Sequence, residues 1–295
     1  MTSFDWDDLR YALAVAEGGS LSAASRRLGV NHSTVYRRLG ALESELGTRL
    51  FDRDSGQLTP TAAGEDLLQS ARRVDADLQA LDRRLAGRDS SLSGSLRLTA
   101  PDDIALDLLL APLADFRAAY PGVALEVVID NRMLSLTRRE ADLAVRPTSQ
   151  PPETLVGRRV GALGSAIYGG RNLRAAPEEG PWIAWDEDAG PPALHRWMAK
   201  HVAPETIAYR SNSLLHQLAA CRAGMGLAVL PCFLGDAALD LTRQGPPEPG
   251  LVTDLWLLTH PDLRRTARIR ALMEHLDAAL RPLAPRLAGE APARP

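Results

Sequence analysis

The chain has 295 residues and a net charge of −3, with 45% hydrophobic and 24% charged residues. This length favours more than one domain, and this composition is typical of globular proteins. No run approaches the roughly 18 consecutive apolar residues of a membrane helix. Two cysteines, Cys221 and Cys232, are too few for a disulfide framework or a zinc site, so we expect buried free thiols.

The beginning of the chain, "MTSFDWDDLR", is acidic and lacks the basic-then-apolar order of a signal peptide. We therefore expect a cytoplasmic protein that has no membrane partner.

The arginines are unevenly distributed. Residues 20 to 53 contain six arginines and three acids, and residues 20 to 42 contain four arginines and no acid. Local basicity in a mildly acidic protein is typical of a DNA-binding module joined to an acidic remainder. The alternative is a chance run of solvated charge.

Two short helices are predicted before residue 30. The first is predicted to be capped by Asp5, has its apolar residues on one helical face and ends at Gly18-Gly19. The second is "LSAASRRL", opened by Ser20 or Ser22 and closed by Gly29. Its small residues permit a close crossing with a neighbouring helix.

A third helix is predicted to begin after Asn31, a good N-cap residue. Its inner stripe consists of Val35, Leu39, Leu42 and Leu46. The opposite face carries polar and basic side chains in its N-terminal half. A helix that packs on two others in this way presents its N-terminal half outward, as a recognition helix does in a major groove.

The segment "RLFDRDSGQLTPTAAG" predicts two short strands around a turn at Asp54-Ser55-Gly56, which form a small wing. Arg53 and Gln57 flank the turn, where they can reach phosphate or the minor groove. Thr59-Pro60 predicts an N-cap followed by proline at the first position of a new helix.

The run "GSLSAASRRLGVNHSTVYRRLGALESELGTRLFDR…LTPTAAG" resembles the winged helix-turn-helix of LysR-type transcriptional regulators, collinearly over about 60 residues. It departs from the family pattern where the third helix opens, since most members carry a Gln-Pro-Ala-like run there. The resemblance implies binding to a double-stranded DNA operator. The candidate DNA-contacting residues are Arg26, Arg27, Asn31, His32, Ser33, Thr34, Tyr36, Arg37, Arg38, Arg53 and Gln57.

From residue 60 the chain is predicted to be helical to about Leu85. Apolar residues recur at spacings of 4, 3, 4, 3 and 4, which is a heptad seam. In LysR-type regulators the equivalent helix pairs two subunits, so the resemblance implies a homodimer or homotetramer. The seam residues are Leu67, Ala71, Val74, Leu78, Leu81 and Leu85.

After a polar joint, "GRDSSLSG", strand-like and helix-like runs alternate, which predicts an α/β fold with a mostly parallel sheet. Strands are predicted at "SLRLTA", "VALEVVID" and "ADLAVR", and at 163–169, 182–185, 226–230 and 251–259. Helices are predicted at 102–119, 131–139, 191–201, 213–223 and 264–280. This part resembles the two-lobed, periplasmic-binding-protein-like effector domain of the same family, which implies a small-molecule effector. The predicted organisation is a winged helix-turn-helix at 1–58, a dimerisation helix at 59–87, a hinge at 88–94 and an effector domain at 95–295. Its predicted lobes are 95–160 plus 260–285, and 161–259.

Ligands of open α/β sheets lie beyond the carboxyl ends of strands, near helix N-termini. The candidate effector-binding residues are Ala100, Asp102, Asp103, Asn131, Arg146, Thr148, Ser165, Asn212 and Ser213. Structural roles are the alternative, with Asp102, Asn131 and Asn212 as helix caps and Arg146 paired with a surface carboxylate.

The loop "TAPDDI" places two carboxylates where many LysR-type regulators carry serine or threonine. Such carboxylates repel a second anion, so we expect a neutral or cationic effector, or a closed pocket. In the alternative, Asp102 only caps the helix and Asp103 faces solvent.

The sequence contains no GxSxG, no phosphate-binding glycine loop and no His/Cys cluster at metal spacing, so we expect no enzyme, no cofactor and no metal. The function predicted is a sequence-specific, effector-controlled transcriptional regulator, with RNA polymerase as a further candidate partner. Two rivals are a solute-binding protein with an accessory module and a DNA-binding architectural protein whose C-terminal domain only oligomerises.

Overall fold

The computed structural model describes residues 6–54, 57–86, 92–131, 141–171 and 180–290; side chains at 53–54, 57, 79–80 and 82–86 are not among them. The chain divides into two compact units, Met1–Asp82 and Arg83–Pro295. None of the helices in these ranges combines the length and apolarity needed to cross a bilayer. Most of the predicted joint and the predicted cap Asp5 lie outside the described residues.

The first unit is a helical domain with a two-stranded wing. Its elements are α1 (Trp6–Gly18), α2 (Leu21–Leu28), α3 (His32–Leu46), β1 (Phe51–Asp54), β2 (Gln57–Pro60) and α4 (Ala62–Ala86). The hydroxyl of Ser20 accepts a hydrogen bond from the Ala23 amide, so Ser20 rather than Ser22 caps α2. Gly29 ends α2 with a φ of 66°, a conformation that favours glycine.

The inner stripe predicted for α3 is confirmed at its first three positions. Val35, Leu39 and Leu42 are buried, and Leu46 packs at the edge of the same core. This core also takes in α1 and the start of α4, so α3 is held by its inner face and its N-terminal half remains at the surface.

The long helix α4 begins at Ala62, later than predicted. Pro60 ends β2 in register with Phe51 and is not the first helical residue. Thr61 takes the capping role instead, because its Oγ1 accepts a hydrogen bond from the Gly64 amide at 3.0 Å. A Cβ at Gly64 would lie 2.0 Å from the Leu50 carbonyl oxygen, so α4 approaches β1 closely only with glycine here.

The second unit contains two sheets, each the centre of a lobe. The first sheet has the order β4-β3-β5-β12-β6, from β3 (Gly94–Ala100), β4 (Val123–Ile129), β5 (Leu143–Pro147), β6 (Val156–Leu163) and β12 (Thr253–Thr259). β3 is parallel to β4 and β5, and β12 is antiparallel to β5 and β6. The sequence predicts the β12 residues in the second lobe, but they pair in the first, because sheet membership depends on distant partners.

The second sheet has the order β11-β7-β10-β8-β9, from β7 (Ser165–Gly170), β8 (Trp182–Trp185), β9 (Ile207–Ser211), β10 (Leu227–Pro231) and β11 (Leu241–Arg243). β8 is parallel to β9 and β10, while β7 is antiparallel to β10 and β11. Strands β6, β9 and β11 were not predicted.

The helix predicted at 102–119 is interrupted. It consists of α5 (Asp102–Ile104), a π-helical turn (Ala105–Leu109) and α6 (Leu110–Ala119). The other helices of the unit are α7 (Pro192–His201), α8 (Leu214–Arg222), α9 (Cys232–Gly235), α10 (Ala267–Leu280) and α11 (Ala284–Ala288). The short helix predicted at 131–139 lies outside the described residues.

Three short helices join the two lobes. Leu214 of α8 packs against both lobe cores, and Phe233 of α9 belongs to the first core whereas its neighbour Cys232 belongs to the second. From α11, Leu287 enters the first core, and its carbonyl accepts a hydrogen bond from the amide of Gly164 between β6 and β7 at 2.9 Å.

Candidate nucleic-acid interface and effector site

The N-terminal half of α3 presents polar side chains to solvent. His32, Ser33 and Arg37 are exposed, Thr34 is half-buried, and Tyr36 is 50% exposed. The helix is opened by residue 31, as predicted, but the side chain at that position makes no capping hydrogen bond. This face therefore offers hydroxyl, imidazole, phenol and guanidinium groups on one helical surface.

Two of the four arginines between residues 20 and 42 are paired at the surface with carboxylates of α1. Arg38 Nη1 donates to Asp8 Oδ1 at 3.1 Å, and its guanidinium lies 5.7 Å from the centre of the Tyr11 ring. The hydrogen bond to Asp8 raises the pKa of Arg38. Arg27 forms an ion pair with Glu17.

The other two, Arg26 and Arg37, are exposed and form no ion pair within the part of the chain that the structure describes. A guanidinium without an internal partner is the group best suited to a phosphate or a guanine edge. The predicted basic surface is thus divided into two arginines that stabilise the unit and two that are free to bind.

The wing is attached to α3 by a carboxylate that the sequence analysis did not select. Glu43 Oε1 accepts hydrogen bonds from the amides of Leu50 at 2.8 Å and Phe51 at 3.2 Å. The backbone places Arg53 and Gln57 on the two wing strands; their side chains lie outside the described residues. The run "LESELGTRLF" contains the signal, an acid eight residues before the first residue of β1, but helical periodicity cannot reveal a contact at this separation.

The predicted heptad seam of α4 divides into two parts. Ala71 is buried and Leu67 half-buried in the core of the first unit, together with Leu68, which was not predicted. Further along, three seam residues remain at the surface: Val74, Leu78 and Leu81 are 40%, 41% and 44% exposed. The side chain of Leu85 lies outside the described residues.

The candidate effector residues of the first lobe form a connected group. The Asp102 amide donates to Asn131 Oδ1 at 3.2 Å, and Asp102 Oδ1 accepts from the Asp103 amide at 2.9 Å. The Asp130 amide donates to the carbonyl of Ala100, which ends β3. Asn131 therefore fixes the loop before α5 and also precedes the segment that it was predicted to cap.

Asp103 is buried, at 6% exposure, and does not face solvent as one alternative expected. Burial raises its pKa to about 6, with smaller contributions from the neighbouring carboxylates of Asp102 and Asp107. This carboxyl group consequently changes its charge near neutral pH.

Arg146 is buried at the end of β5, and its pKa is lowered by that burial. Nη2 donates to Thr99 Oγ1 at 2.8 Å and Nη1 to the carbonyl of Asp130 at 2.5 Å. Its hydrogen bonds therefore go to a hydroxyl and a carbonyl; the alternative of a paired surface carboxylate is wrong. The guanidinium supports the loop that carries Asn131.

The remaining candidates are placed differently. Ser213 caps α8, since its hydroxyl accepts from the His216 amide at 3.3 Å, and Asn212 is exposed beside it without the predicted capping role. Thr148 Oγ1 accepts from the Gln150 amide in a local turn, and Ser165 begins β7 opposite Pro231. The starts of α5 and α8 are in contact, which brings the loop of Asp103 toward Ser213.

The described residues contain no group of three or more His, Cys, Asp or Glu that would hold a metal ion. Both cysteines are buried, and burial raises the pKa of each thiol, that of Cys221 to about 11. Unreactive thiols agree with the predicted free cysteines.

Comparison with known proteins agrees with this architecture. Residues 6–65 match the family described as bacterial regulatory helix-turn-helix protein, lysR family, and residues 89–281 match the LysR substrate binding domain. The chain is 32% identical over 164 residues to an HTH-type transcriptional regulator of Xanthomonas campestris pv. campestris, covering 56% of this chain and 48% of that protein. It is 29% identical over 265 residues to the Mau operon transcriptional activator of Paracoccus denitrificans, covering 88% and 91%.

The fold is similar to the full-length structure of the Vibrio cholerae virulence activator AphB, with a TM-score of 0.62 and 19% identity over 94% of this chain and 100% of that one. The chain therefore belongs to the LysR family of DNA-binding, effector-controlled transcriptional regulators, which are not enzymes.

Proposed function

We propose that this regulator reads its operator through the N-terminal half of α3, with Arg37 and Arg26 as the principal cationic contacts. The observation that carries the proposal is the division of the arginines, because Arg37 is exposed and unpaired within the described residues while Arg38 is bound to Asp8. In the major groove, a guanidinium of this kind suits the O6 and N7 atoms of guanine. The wing side chains at 53 and 57 would add phosphate or minor-groove contacts.

The operator would have approximate two-fold symmetry, read by a homodimer or homotetramer. The exposed stripe of Val74, Leu78 and Leu81 supports this, since its spacing matches a seam that a second copy of α4 would cover. A change of domain geometry on effector binding would alter half-site spacing or DNA bending, and hence the recruitment or blockage of RNA polymerase. Such a regulator acts on DNA in the cytoplasm.

For the effector we propose a neutral or cationic small molecule that binds between the lobes, near the loop of Asp102 and Asp103. Two adjacent carboxyl groups, one of them buried, disfavour an anion, since a like-charge contact at about 4 Å costs roughly 4 kcal/mol at an effective dielectric near 20. The contact between the starts of α5 and α8 supports a ligand that alters the arrangement of the two lobes.

The DNA proposal is tested by selecting binding sequences from a random duplex library with the full-length chain. We expect an enriched motif with two-fold symmetry, and we expect Arg37→Ala to lose the enrichment. Arg264→Ala, at an exposed position in the second unit, is the control for loss of one positive charge. If Arg37→Ala enriches the same motif as the parent chain, the proposal that α3 reads the operator through Arg37 is rejected.

The effector proposal is tested by a thermal-shift screen of the full-length chain against amines, neutral metabolites and organic acids. We expect stabilisation by a neutral or cationic compound, and we expect Asp102→Asn to weaken it. Tight binding of a mono- or dicarboxylate that depends on the Asp102 loop would contradict the proposed class.

A further inference from the structure

A groove on the second lobe lies between α7 and the 3-10 turn Pro249–Leu251. It has a volume of about 410 Å³, within the range of small-molecule sites. Arg196, Lys200 and His201 of α7 line one side, and Glu248 lines the other. None of the candidate effector-binding residues lines this groove.

The charges on the α7 side have few internal partners. Arg196 and Lys200 are exposed at i and i+4 on one helical face, and neither forms an ion pair with a residue that the structure describes. Like charges at this spacing destabilise a helix slightly. The carboxylate of Glu248 accepts a hydrogen bond within the groove, from Trp197 Nε1 at 3.2 Å.

The floor of the groove is held in a fixed arrangement. The rings of Trp197 and His201 stack with centroids 4.6 Å apart, and Trp182 packs edge-on against Trp197 at 6.1 Å. His201 Nδ1 faces the Trp197 carbonyl at 2.8 Å and must carry the hydrogen of that bond, because a carbonyl only accepts. In that tautomer Nε2 is an acceptor, so His201 would donate to a phosphoryl oxygen only as the imidazolium, in which both ring nitrogens carry hydrogen.

A purely structural explanation covers only part of this arrangement. Basic residues in the last turn of a helix stabilise its C-terminal carbonyls, which accounts for Lys200 and His201. It does not account for Arg196, one turn earlier, beside a second unpaired cation and over a preformed groove. Two neighbouring positive charges with a nearby imidazole suit a dianion better than a monoanion.

We propose that the α7 groove is a second ligand site, which binds a phosphoryl group through Arg196, Lys200 and His201. A phosphorylated metabolite and the backbone of DNA carry this same chemistry. Ligand binding here would act on the second lobe directly, because the Glu248 amide donates to the carbonyl of Ser165 at the start of β7.

The test uses calorimetric titration of the full-length chain with pyrophosphate. We expect saturable binding that Arg196→Ala/Lys200→Ala weakens about tenfold or more, as the loss of charge-assisted hydrogen bonds requires. The control is Arg264→Ala/Arg265→Ala, which removes two exposed positive charges from the same unit and should leave the affinity within about twofold of the parent. Absence of saturable binding, or equal weakening in both double variants, would overturn the proposal.

Lys200 is the only lysine of the chain, which gives an independent readout. Saturating pyrophosphate should slow its acetylation by an amine-reactive ester, measured by mass spectrometry; an unchanged rate would also overturn the proposal. Competition by a short non-operator duplex in the Arg37→Ala background would identify DNA as the source of the phosphoryl group. If the duplex and pyrophosphate bind at the same time without competing, the result would support a free phosphorylated metabolite as the ligand of the α7 groove.

Discussion

Arg37 and Arg38 are adjacent on α3, yet their surroundings assign them different roles. The Arg38 guanidinium is held by Asp8 from α1, with Asp7 3.8 Å away, whereas Arg37 projects without such a partner among the described residues. The pairing of Arg38 joins residues 30 positions apart, so no local pattern in the sequence reveals it.

We expect Arg37→Ala to weaken specific operator binding by about 1 to 3 kcal/mol per half-site, because it removes a base contact. Its thermal unfolding should match that of the parent. Arg38→Ala should lower the unfolding temperature and weaken specific and non-specific DNA about equally, since it disturbs the α1–α3 contact. Fluorescence anisotropy with operator and random duplexes at moderate salt measures both DNA affinities, and calorimetry measures the unfolding temperature. A loss of stability in Arg37→Ala together with a loss of specific binding alone in Arg38→Ala would contradict these roles.

Asp103 makes the second unit sensitive to pH. Its folded-state pKa is raised from an ordinary value of 3.8 to about 6, so the folded chain binds this proton more tightly than the unfolded chain. The stabilisation is complete below about pH 4 and is lost as the pH rises from 4 to 6. A rise of this size corresponds to at most roughly 3 kcal/mol.

Asp103→Asn keeps the size of the side chain and cannot ionise. We expect the variant and the parent to be similarly stable at pH 4 and the variant to be more stable at pH 7, in calorimetric unfolding of the full-length chain. Asp115→Asn, on the exposed side of α6, is the control and should show no such divergence. A stability difference that is the same at both pH values would reject the raised pKa of the buried Asp103.

At the scale of elements, α4 serves two purposes along its length. Its first half belongs to the core of the DNA-binding unit through Leu68 and Ala71, and its second half exposes an apolar stripe at Val74, Leu78 and Leu81. Exposing such an apolar stripe to water is unfavourable in free energy, which favours its burial against α4 of a second copy of the chain.

Leu78→Asp should disrupt that pairing, because a carboxylate would be buried without a partner in both subunits. We expect a shift toward monomer in light scattering and a loss of operator affinity, with the effector unit still folded. Ala76→Asp places the same charge on an exposed position off the stripe and should leave the assembly intact. An unchanged assembly with full DNA binding in Leu78→Asp would remove α4 as the dimerising element.

The elements that were predicted correctly are those whose signals are local. Helices α2 and α3 follow from capping residues and from a single apolar face, and β3 and β4 from short apolar runs. The start of α4 was misplaced, because Thr59-Pro60 and Thr61 offer competing signals and only the pairing of Pro60 with Phe51 decides between them. The π-turn at Ala105–Leu109 depends on packing that has no sequence period.

Features that depend on contacts between residues far apart in the sequence could not be predicted from it. The sequence of β12 is strand-like but does not show which sheet it joins. Its place between β5 and β6 depends on partners about a hundred residues away. For the same reason Arg146 was placed at the right strand end, but its bonds to Thr99 and to the Asp130 carbonyl were not foreseen. Burial of Asp103 was likewise unpredictable from "TAPDDI".

At the scale of the whole molecule, one chain combines a DNA-reading unit and a two-lobed sensing unit. The first presents the exposed Arg37 on α3 and an apolar stripe on α4, and the second carries a connected polar loop where its lobes meet. Regulation requires that a ligand of the second unit favour one arrangement of the paired first units on DNA. The proposed regulation requires that α3 of each subunit contact the bases of one operator half-site.

Hydroxyl-radical footprinting on the DNA that flanks this protein's own gene tests that claim most directly. We predict two protected patches whose centres lie about one helical turn, or a whole number of turns, apart. Arg37→Ala should abolish the protection at concentrations where Arg264→Ala retains it, and Leu78→Asp should lose the paired pattern. Protection of the same two patches by Arg37→Ala at parental concentrations would contradict the account.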